Sequence, residues 1–517
     1  MAKKRSKRAA KKSTARTGRR KARAVSTERG AQPKGVINGW EDDPGAGAQP
    51  SGGQVVQRPV PVLRDQPFPT RIVNPSSAPE AKPHPPGTAE FRYWAAAEAL
   101  RRGADFWGAL VPGTSWEVGA ILPVDLDFGV DLNAFYDREG LKFFHGSAAG
   151  RTVFSGESPD IVCHELGHAL LDSFKPQLFD AASIEVAAFH ESFGDMSAIL
   201  SALQLSSVRE GVLAETGGVL HRSSRLSRLA EQLGWAIRQS VPSAVEPDCL
   251  RNAVNTFFYR DPDTLPTTAP ATSLSSEPHS FSRVFTGAFF EGLAGMLATT
   301  ASRDEAALLQ VSQDIGAILV QGIRAASVVP TFMSQVAASM LAVAAARFST
   351  QGYEAPLRSG FIRHGILPPS MAVAATHAPA RIAALAASPN ESKTLPTLQL
   401  SVAEYGLGVP SIVVYAAAEP KRLQVAGAAL AVGAAPSPGE DQAAKSFFED
   451  LLRRGRLKIP RAGKGTAETL RAAAPQTHET HTHELRPRPY RLRVRSPLST
   501  GVRPLYDARR NAGATHG

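Results

Sequence analysis

Residues 159–174 read PDIVCHELGHALLDSF, and the interpretation of the whole chain starts from this stretch. His164 and His168 stand four positions apart, and on an α-helix this spacing places both side chains on one face. Glu165 lies about 100° further round such a helix, so it can approach the same point from the side. A proline at the beginning of the stretch favours a helix start. The stretch therefore predicts a helix that presents two imidazoles and a carboxylate to one site.

This HExxH spacing is the one that zinc hydrolases use, with the histidines as ligands and the glutamate as a base. Zinc accepts nitrogen and carboxylate ligands and lowers the pKa of its water to about 7. So short a pattern also arises by chance, and an ordinary amphipathic helix is the alternative. Ile161, Leu166 and Leu170 would give this helix a buried face, where histidines without partners are costly. The surroundings therefore favour a metal site over the alternative.

A catalytic zinc needs a third protein ligand, which a second predicted helix can supply. A metzincin-like pattern would require histidine at position 174, and that residue is Phe174. The second helix offers Glu191 and Asp195, four positions apart and therefore on one face. Glu191 is the predicted third ligand, and Asp195 is the predicted carboxylate that holds an imidazole N–H. The alternative ligands on this helix are His190 and Glu185.

HExxH followed by ExxxD on the next helix resembles the thermolysin-like gluzincin metallopeptidases. Other motifs resemble that family in the same order along the chain. Asn133 and Ala134 resemble its edge strand, Arg251 resembles an arginine that holds a substrate carbonyl, and His279 resembles its second catalytic histidine. The resemblance covers residues 88–350. It implies an α+β fold of the zincin type, with an antiparallel sheet, an active-site helix between two lobes and a helical second lobe.

The resemblance implies a zinc-dependent metalloendopeptidase that hydrolyses peptide bonds through a zinc-activated water. In this reading His164, His168 and Glu191 bind zinc, and Asp195 orients His164. Glu165 is the general base, which takes a proton from the water and returns it to the leaving amine. The cofactor expected from these roles is zinc, and no structural calcium is expected.

The same resemblance implies how a peptide or protein substrate would be held. His279 would stabilise the oxyanion that forms during hydrolysis. An extended peptide would add to the edge strand of the sheet. The residues expected to align that peptide are Asn133, Ala134 and Arg251. Ile161 and Leu250 are expected to form walls of an apolar pocket for the side chain after the scissile bond.

Several positions depart from the family pattern. Phe179 stands where the family often has a tyrosine that assists the oxyanion, and Glu277 is the only acid shortly before His279. His190 replaces an asparagine, and Asp160 is the only clear remnant of a calcium cluster. Phe179 and the missing aspartate before His279 support an alternative function, in which a non-catalytic zincin-fold protein binds nucleic acid or an acidic partner through basic tails.

The charge of the chain is concentrated at its ends. Residues 1–29 contain thirteen Lys or Arg and one acid, and residues 451–517 contain fifteen Lys or Arg and four acids. Solvated tails are the plain interpretation of such runs, and weak contact with nucleic acid or an acidic partner is the sharper one. The chain contains no run of eighteen apolar residues, so no membrane span is predicted. The basic N-terminus is not followed by an apolar stretch, so a cytoplasmic protein is expected, with non-standard export left open.

Composition along the chain predicts four parts. Residues 1–87 are expected to be a disordered basic and Pro-Gly-rich tail, and residues 88–350 the metallopeptidase domain. Residues 351–460 are an extension of uncertain fold, with strands between Leu398 and Ala417 as one option. Residues 461–517 are expected to be a disordered basic tail. Within the domain, strands and a hairpin are predicted over residues 116–145. The predicted helices cover residues 159–174, 181–205, 281–300, 304–325 and 330–349.

Overall fold

The structure is a computed structural model in which the chain has an α+β fold. It describes residues 35–45, 54–64, 67–376, 395–407, 409–417, 439–458, 482–486 and 491–495. The strands of these residues are β1 (Val36–Trp40), β2 (Val55–Pro59), β3 (Thr70–Asn74), β4 (Leu122–Val130), β5 (Ala134–Tyr136), β6 (Leu141–Ala148), β7 (Arg151–Phe154), β8 (Ala181–Ala182), β9 (Arg228–Leu229), β10 (Arg251–Asn252), β11 (Thr397–Ser401), β12 (Ser411–Ala416), β13 (Leu457–Lys458), β14 (Thr482–Arg486) and β15 (Arg491–Arg495).

Twelve α-helices lie in the same described ranges. They are α1 (Ala89–Leu110), α2 (Pro159–Phe174), α3 (Gln177–Asp180), α4 (Ile184–Ala202), α5 (Ser206–Thr216), α6 (Glu231–Arg238), α7 (Pro278–Thr299), α8 (Glu305–Ala325), α9 (Phe332–Arg347), α10 (Glu354–Arg363), α11 (Pro369–Thr376) and α12 (Glu440–Arg453). The five predicted helices correspond to α2, α4, α7, α8 and α9, with ends that differ by a few residues. Side-chain caps explain four of the starts, because Ser158, Ser183, Glu277 and Asp304 each accept a backbone N–H from the first turn.

The sheet that precedes α2 is mixed, so the prediction of an antiparallel sheet is wrong for part of it. Its strand order is β3-β4-β6-β5, with β7 also paired to β6. The pairs β3/β4 and β4/β6 are parallel, whereas β5/β6 and β6/β7 are antiparallel. Strand β4 ends at Val130, and the backbone turns at Asp131, whose side chain accepts the N–H of Leu132 at 2.8 Å. This local turn lets β6 insert between two strands that are consecutive in sequence.

The predicted hairpin beside this turn is confirmed. Strands β5 and β6 pair with Ala134 opposite Phe143 and Tyr136 opposite Leu141. The connecting turn begins at Asp137, whose carboxylate accepts the N–H groups of Glu139 and Gly140. Strand β5 lies at the end of the strand order, so its outer side is an edge of the sheet.

Helices α2 and α4 cross at two glycines. A Cβ atom on Gly167 would lie 2.8 Å from the Cβ of Ser197, and one on Gly194 would lie 2.6 Å from the ring of His164. Both distances are shorter than real contacts, so only glycine permits this separation. Helix α1 fixes the pair from behind, since the Trp107 indole donates to Ser197 Oγ at 2.9 Å. The close crossing is what brings the two halves of the candidate site together.

The N-terminal boundary of the predicted domain is wrong where the structure describes the chain before Thr88. Residues 36–40 and 55–59 form the β1/β2 hairpin, and residues 70–74 form β3. Ile37, Phe68 and Ile72 are buried in the same hydrophobic core as α2 and α4. Composition was misleading because the Pro- and Gly-rich stretch contains short apolar strands that only gain stability by packing on α1. The rest of the predicted tail, residues 1–34, 46–53 and 65–66, lies outside the described residues.

The C-terminal extension joins the same core. Strand β12 pairs with β11 and, in parallel, with β8 at Tyr415–Ala181 and Ala416–Ala182. Phe448 of α12 is fully buried in the common core. The two strands predicted between Leu398 and Ala417 are therefore present, and they extend the domain beyond residue 350. Within the predicted C-terminal tail, residues 482–486 and 491–495 form a strand pair, contrary to the expected disorder, and the remainder lies outside the described residues.

Helix α8 is the one helix of the described ranges that is long and apolar enough to cross a membrane. Its best 18-residue window has a mean hydropathy of 1.3, and 56% of that window is buried inside the protein. A buried core helix passes the same test of length and composition. This finding does not conflict with the predicted lack of a membrane span, which stays a prediction.

Candidate metal centre and active site

Three predicted ligands meet between α2 and α4. Ligand atoms of His164, His168 and Glu191 all lie within 4.8 Å of one another. Glu191 Oε2 is 3.3 Å from His164 Nε2 and 3.8 Å from His168 Nε2. Tetrahedral zinc with bonds of about 2.0–2.1 Å separates its ligand atoms by roughly 3.3–3.4 Å, so the donor set and its spacing fit zinc. Among the described residues, this is the only group of three or more His, Cys, Asp or Glu with such spacing.

A carboxylate and an arginine fix the first imidazole. His164 Nδ1 lies 3.0 Å from Asp195 Oδ1, so Nε2 is left to face Glu191. Arg251 donates to both Asp195 oxygens, with Nε–Oδ2 at 3.0 Å and Nη2–Oδ1 at 2.6 Å. Burial raises the pKa of Asp195, but Arg251 and His164 outweigh burial and bring that pKa below its usual value. A carboxylate that stays ionised holds the ring N–H and keeps the imidazole in one orientation.

The second imidazole is fixed by another histidine. His168 Nδ1 lies 3.0 Å from His190 Nδ1, at hydrogen-bond distance. If His168 Nε2 faces a metal, its Nδ1 carries the proton and His190 Nδ1 accepts it. His190 therefore supports a ligand from behind, and its Nδ1 is directed away from the metal position. This contact favours Glu191 over His190 as the third ligand.

Glu185, the other alternative ligand, points elsewhere. Its Oε1 accepts from the Tyr259 hydroxyl at 2.5 Å, and its Oε2 accepts from the Met333 backbone N–H at 3.0 Å. Burial raises the pKa of Glu185 to about 7, although these two hydrogen bonds oppose the rise. The side chain thus connects the start of α4 to the start of α9.

Glu165 is the buried carboxylate beside the ligands. Only 4% of the residue is exposed, and its Oε2 has no hydrogen-bond partner among the residues that the structure describes. Burial raises the pKa of this carboxyl to about 7, with His164 lowering it and Glu191 raising it. A buried carboxylate oxygen that receives no hydrogen bond is energetically costly. A water or substrate atom would satisfy it.

His279 enters from the first turn of α7. Its Nε2 lies 3.1 Å from Glu191 Oε2, and its Nδ1 lies 2.6 Å from Glu277 Oε1. Burial raises the pKa of Glu277, but the charge and hydrogen bond of His279, with smaller contributions from Arg454 and the Ser280 N–H, together lower that pKa to about 2. Burial lowers the pKa of His279, while Glu191 and Glu277 outweigh it and raise it. Glu277 is therefore the carboxylate partner of His279, in the place where the family pattern has an acid shortly before the histidine.

Predicted site residues that are far apart in sequence line one small pocket of about 60 Å³. They are Asn133, Ala134, Ile161, His164, Glu165, Asp195, Leu250, Arg251 and His279. Asn133 and Ala134 lie at the start of the edge strand β5. The pocket adjoins a larger apolar cavity of about 230 Å³ that shares Asn133, Leu233 and His279. The structure thus brings together all the predicted substrate-aligning residues.

Sequence reasoning missed several pocket walls. They are Ala198, Leu229, Ala230 and Leu233, together with the neighbouring Asp160. Leu229 and Ala230 lie at the junction of β9 and α6, a segment whose backbone is held by Asp160, since Ala230 N–H donates to Asp160 Oδ2 at 3.0 Å. No local pattern marks this segment, so only the tertiary structure reveals it.

Phe179 lies beside the site, and its side chain has no group that can donate a hydrogen bond. Its ring contacts Tyr136 with centroids 5.8 Å apart and His190 with centroids 5.9 Å apart, and Arg138 stacks on it at 4.3 Å. The nearby Tyr136 hydroxyl is engaged, because it donates to Asp172 at 2.8 Å. Neither aromatic residue therefore replaces the tyrosine of the family pattern in this arrangement.

No protein-family model matches the chain, and no curated protein matches it in sequence.

Proposed function

We propose that the chain is a zinc-dependent metalloendopeptidase with a zincin-type active site. The observation that carries the proposal is the convergence of two histidines and one carboxylate on a point flanked by a buried glutamate. A structural role alone gives no reason to bury Glu165 beside two histidines and leave one of its oxygens without a partner. Zinc held by His164, His168 and Glu191 would supply a water of lowered pKa and a Lewis acid.

The chain's own residues have distinct tasks in this proposal. Glu165 removes a proton from the attacking water and returns it to the leaving amine. His279 donates an N–H to the carbonyl oxygen as negative charge develops there, and Glu277 keeps its ring in place. A peptide would lie along the edge of β5 as an added strand, beginning at Asn133.

Arg251 has two tasks in the proposal. It holds Asp195 through two hydrogen bonds and also lines the pocket in which the substrate would lie. Its contact with a substrate carbonyl is an expectation from the family resemblance. Because Asp195 holds His164, a change at Arg251 would disturb both the metal ligands and the substrate.

The alternative, a non-catalytic protein that binds through basic tails, had two supports in the sequence. One of them weakens, because Glu277 pairs with His279 at 2.6 Å. The other remains, since Phe179 has no hydroxyl. The same experiment separates the two functions.

The test is cleavage of a mixed peptide library by the zinc-loaded protein and by Glu165→Gln. The variant keeps all three ligands, so we expect zinc binding unchanged and the cleavage rate at least about 10²-fold lower. Mass spectrometry of the products would report the side-chain preference around the scissile bond. If neither protein cleaves while both bind zinc, the non-catalytic alternative is favoured. Deleting residues 1–34 would then show whether nucleic-acid binding depends on the basic N-terminus.

A further inference from the structure

The N-terminal end of α7, where Glu277 is the cap and His279 lies in the first turn, is fastened to the C-terminal helix α12. Ser276 donates its hydroxyl to Asp450 Oδ1 at 2.7 Å, although the two residues are 174 positions apart. Both are almost completely buried, with 2% of Ser276 and 3% of Asp450 exposed. A buried hydrogen bond to a charged acceptor is one of the stronger contacts in a protein. It holds the residue immediately before Glu277.

Arg454, the residue after the end of α12, adds a buried positive charge next to this contact. Arg454 forms an ion pair with Asp450, and only 5% of the arginine side chain is exposed. Its positive charge is one of the influences that lower the pKa of Glu277. Two ion pairs thus lie in this region, Asp450 with Arg454 and Glu277 with His279. Removing Arg454 would leave the Asp450 carboxylate buried without its cationic partner.

The docking of the C-terminal segment extends beyond these residues. Ser446 donates to Asp263 at 2.8 Å on the outer side of the same loop region. Phe447 and Phe448 are buried in the common core, and β12 pairs with β8 between the two zinc helices. The segment after residue 395 thus contacts the stretch before α7 and the short strand before α4.

We propose that α12 is part of the active site, with Asp450, paired with Arg454, as the positioning residue that holds Ser276 and through it fixes Glu277 and the imidazole of His279. This inference deepens the proposed function and rests on it for its catalytic readout. It extends the functional unit past residue 350, where the motifs of the sequence end. The zinc ligands lie on α2 and α4, so the positioning should affect His279 and leave the metal ligands alone.

The first experiment measures peptide hydrolysis by Arg454→Met and Arg454→Lys. The methionine variant removes the charge, and we expect kcat to fall by about tenfold to 100-fold, because misplacing a catalytic group by a small distance has effects of this size. We expect KM and zinc affinity to stay within about twofold of wild type. The lysine variant keeps the charge and should recover most of kcat. Arg453→Met is the matched control, since that neighbouring side chain is 62% exposed.

A milder pair of variants covers the case in which Arg454→Met does not fold. Ser276→Ala removes only the hydroxyl that contacts Asp450, and we expect kcat to fall about threefold to tenfold with unchanged zinc affinity. Ser446→Ala removes a hydroxyl from the same helix on the outer side and should leave kcat unchanged. Equal losses in the two serine variants, or a parallel loss of zinc affinity, would overturn the positioning role.

Hydrogen exchange provides a readout that needs no catalysis. In zinc-loaded Ser276→Ala, backbone amides of residues 275–281 should exchange at least about tenfold faster, while those of α2 and α4 stay unchanged. If wild type does not cleave peptides but this local change occurs, the positioning stands and the proposed hydrolysis fails. If exchange over residues 275–281 equals wild type in both arginine and serine variants, α12 does not hold the loop.

Discussion

His164 and Glu191 lie on α2 and α4, which are close in sequence, whereas the start of α7, which carries His279, is fastened to α12 by a hydrogen bond between Ser276 and Asp450, 174 positions apart. We call His164, His168 and Glu191, which we propose bind zinc, the zinc end of the site, and Glu277 with His279 the His279 end. The zinc end is set by local spacing and by two glycines at one helix crossing. The His279 end depends on remote charges. The same pocket therefore combines a part that a motif specifies and a part that only long-range packing can hold.

The largest effect should come from the helix crossing at the zinc end. In Gly194→Ala the new Cβ would lie 2.6 Å from the His164 ring, so the ring or the helix has to move. We expect zinc affinity to fall about 100-fold, at the upper end of what disturbed ligand support produces. Titration against a competing chelator measures this. The control is Gly211→Ala, whose Cβ would meet only the flexible Arg225 side chain.

An unchanged zinc affinity in Gly194→Ala would mean that α2 and α4 can separate without loss of the site. The zinc end would then depend on distant contacts as much as the His279 end does, and the contrast between the two ends would disappear.

A smaller effect should follow from changing the support of His168. His190→Ala removes the acceptor that lies 3.0 Å from His168 Nδ1, and we expect zinc affinity to fall about tenfold. His190→Asn offers a carbonyl oxygen at this position and should restore most of the affinity. The same chelator titration separates the variants. If the alanine and asparagine variants lose affinity equally, His190 does not act through this hydrogen bond.

The smallest effect concerns how α4 itself is held. Burial raises the pKa of Glu185 from 4.5 to about 7, so between these values the folded protein keeps a proton that the unfolded chain has released. Stability is therefore lost as the pH rises through this window, by up to about 3 kcal/mol. Glu185→Gln has no such titration, so its stability relative to wild type should increase between pH 5 and pH 8.

Denaturant unfolding at several pH values measures the difference between Glu185→Gln and wild type. The amide can still accept from Met333 N–H and donate to the Tyr259 oxygen, so the local structure should persist. A difference that is constant with pH would show that Glu185 titrates normally. In that case the start of α4 is more open to solvent than its contacts suggest.

Much of the fold could be predicted from local signals. The helix α2 was predicted with its observed ends because Ser158 caps it and apolar residues repeat along one face. The hairpin before it was marked by Asp137 and Gly140 at the turn. The mixed sheet was not predictable, since strand direction depends on which neighbours pair and not on alternation within a strand. The β1/β2 hairpin was not predicted because it lies in a Pro- and Gly-rich stretch, where short apolar strands gain stability only by packing on α1.

By itself the sequence determined the zinc end, because helical periodicity converts the spacing of His164, His168, Glu191 and Asp195 into shared faces on two helices. Only the tertiary structure decided which polar groups support them. It placed His190 against His168, Arg251 against Asp195, and Asp450 against Ser276. Those partners are distant along the chain or lack a repeating pattern, and burial selects them because charged groups inside a protein need a partner. The motif thus specifies the ligands, and the packed core specifies their orientation.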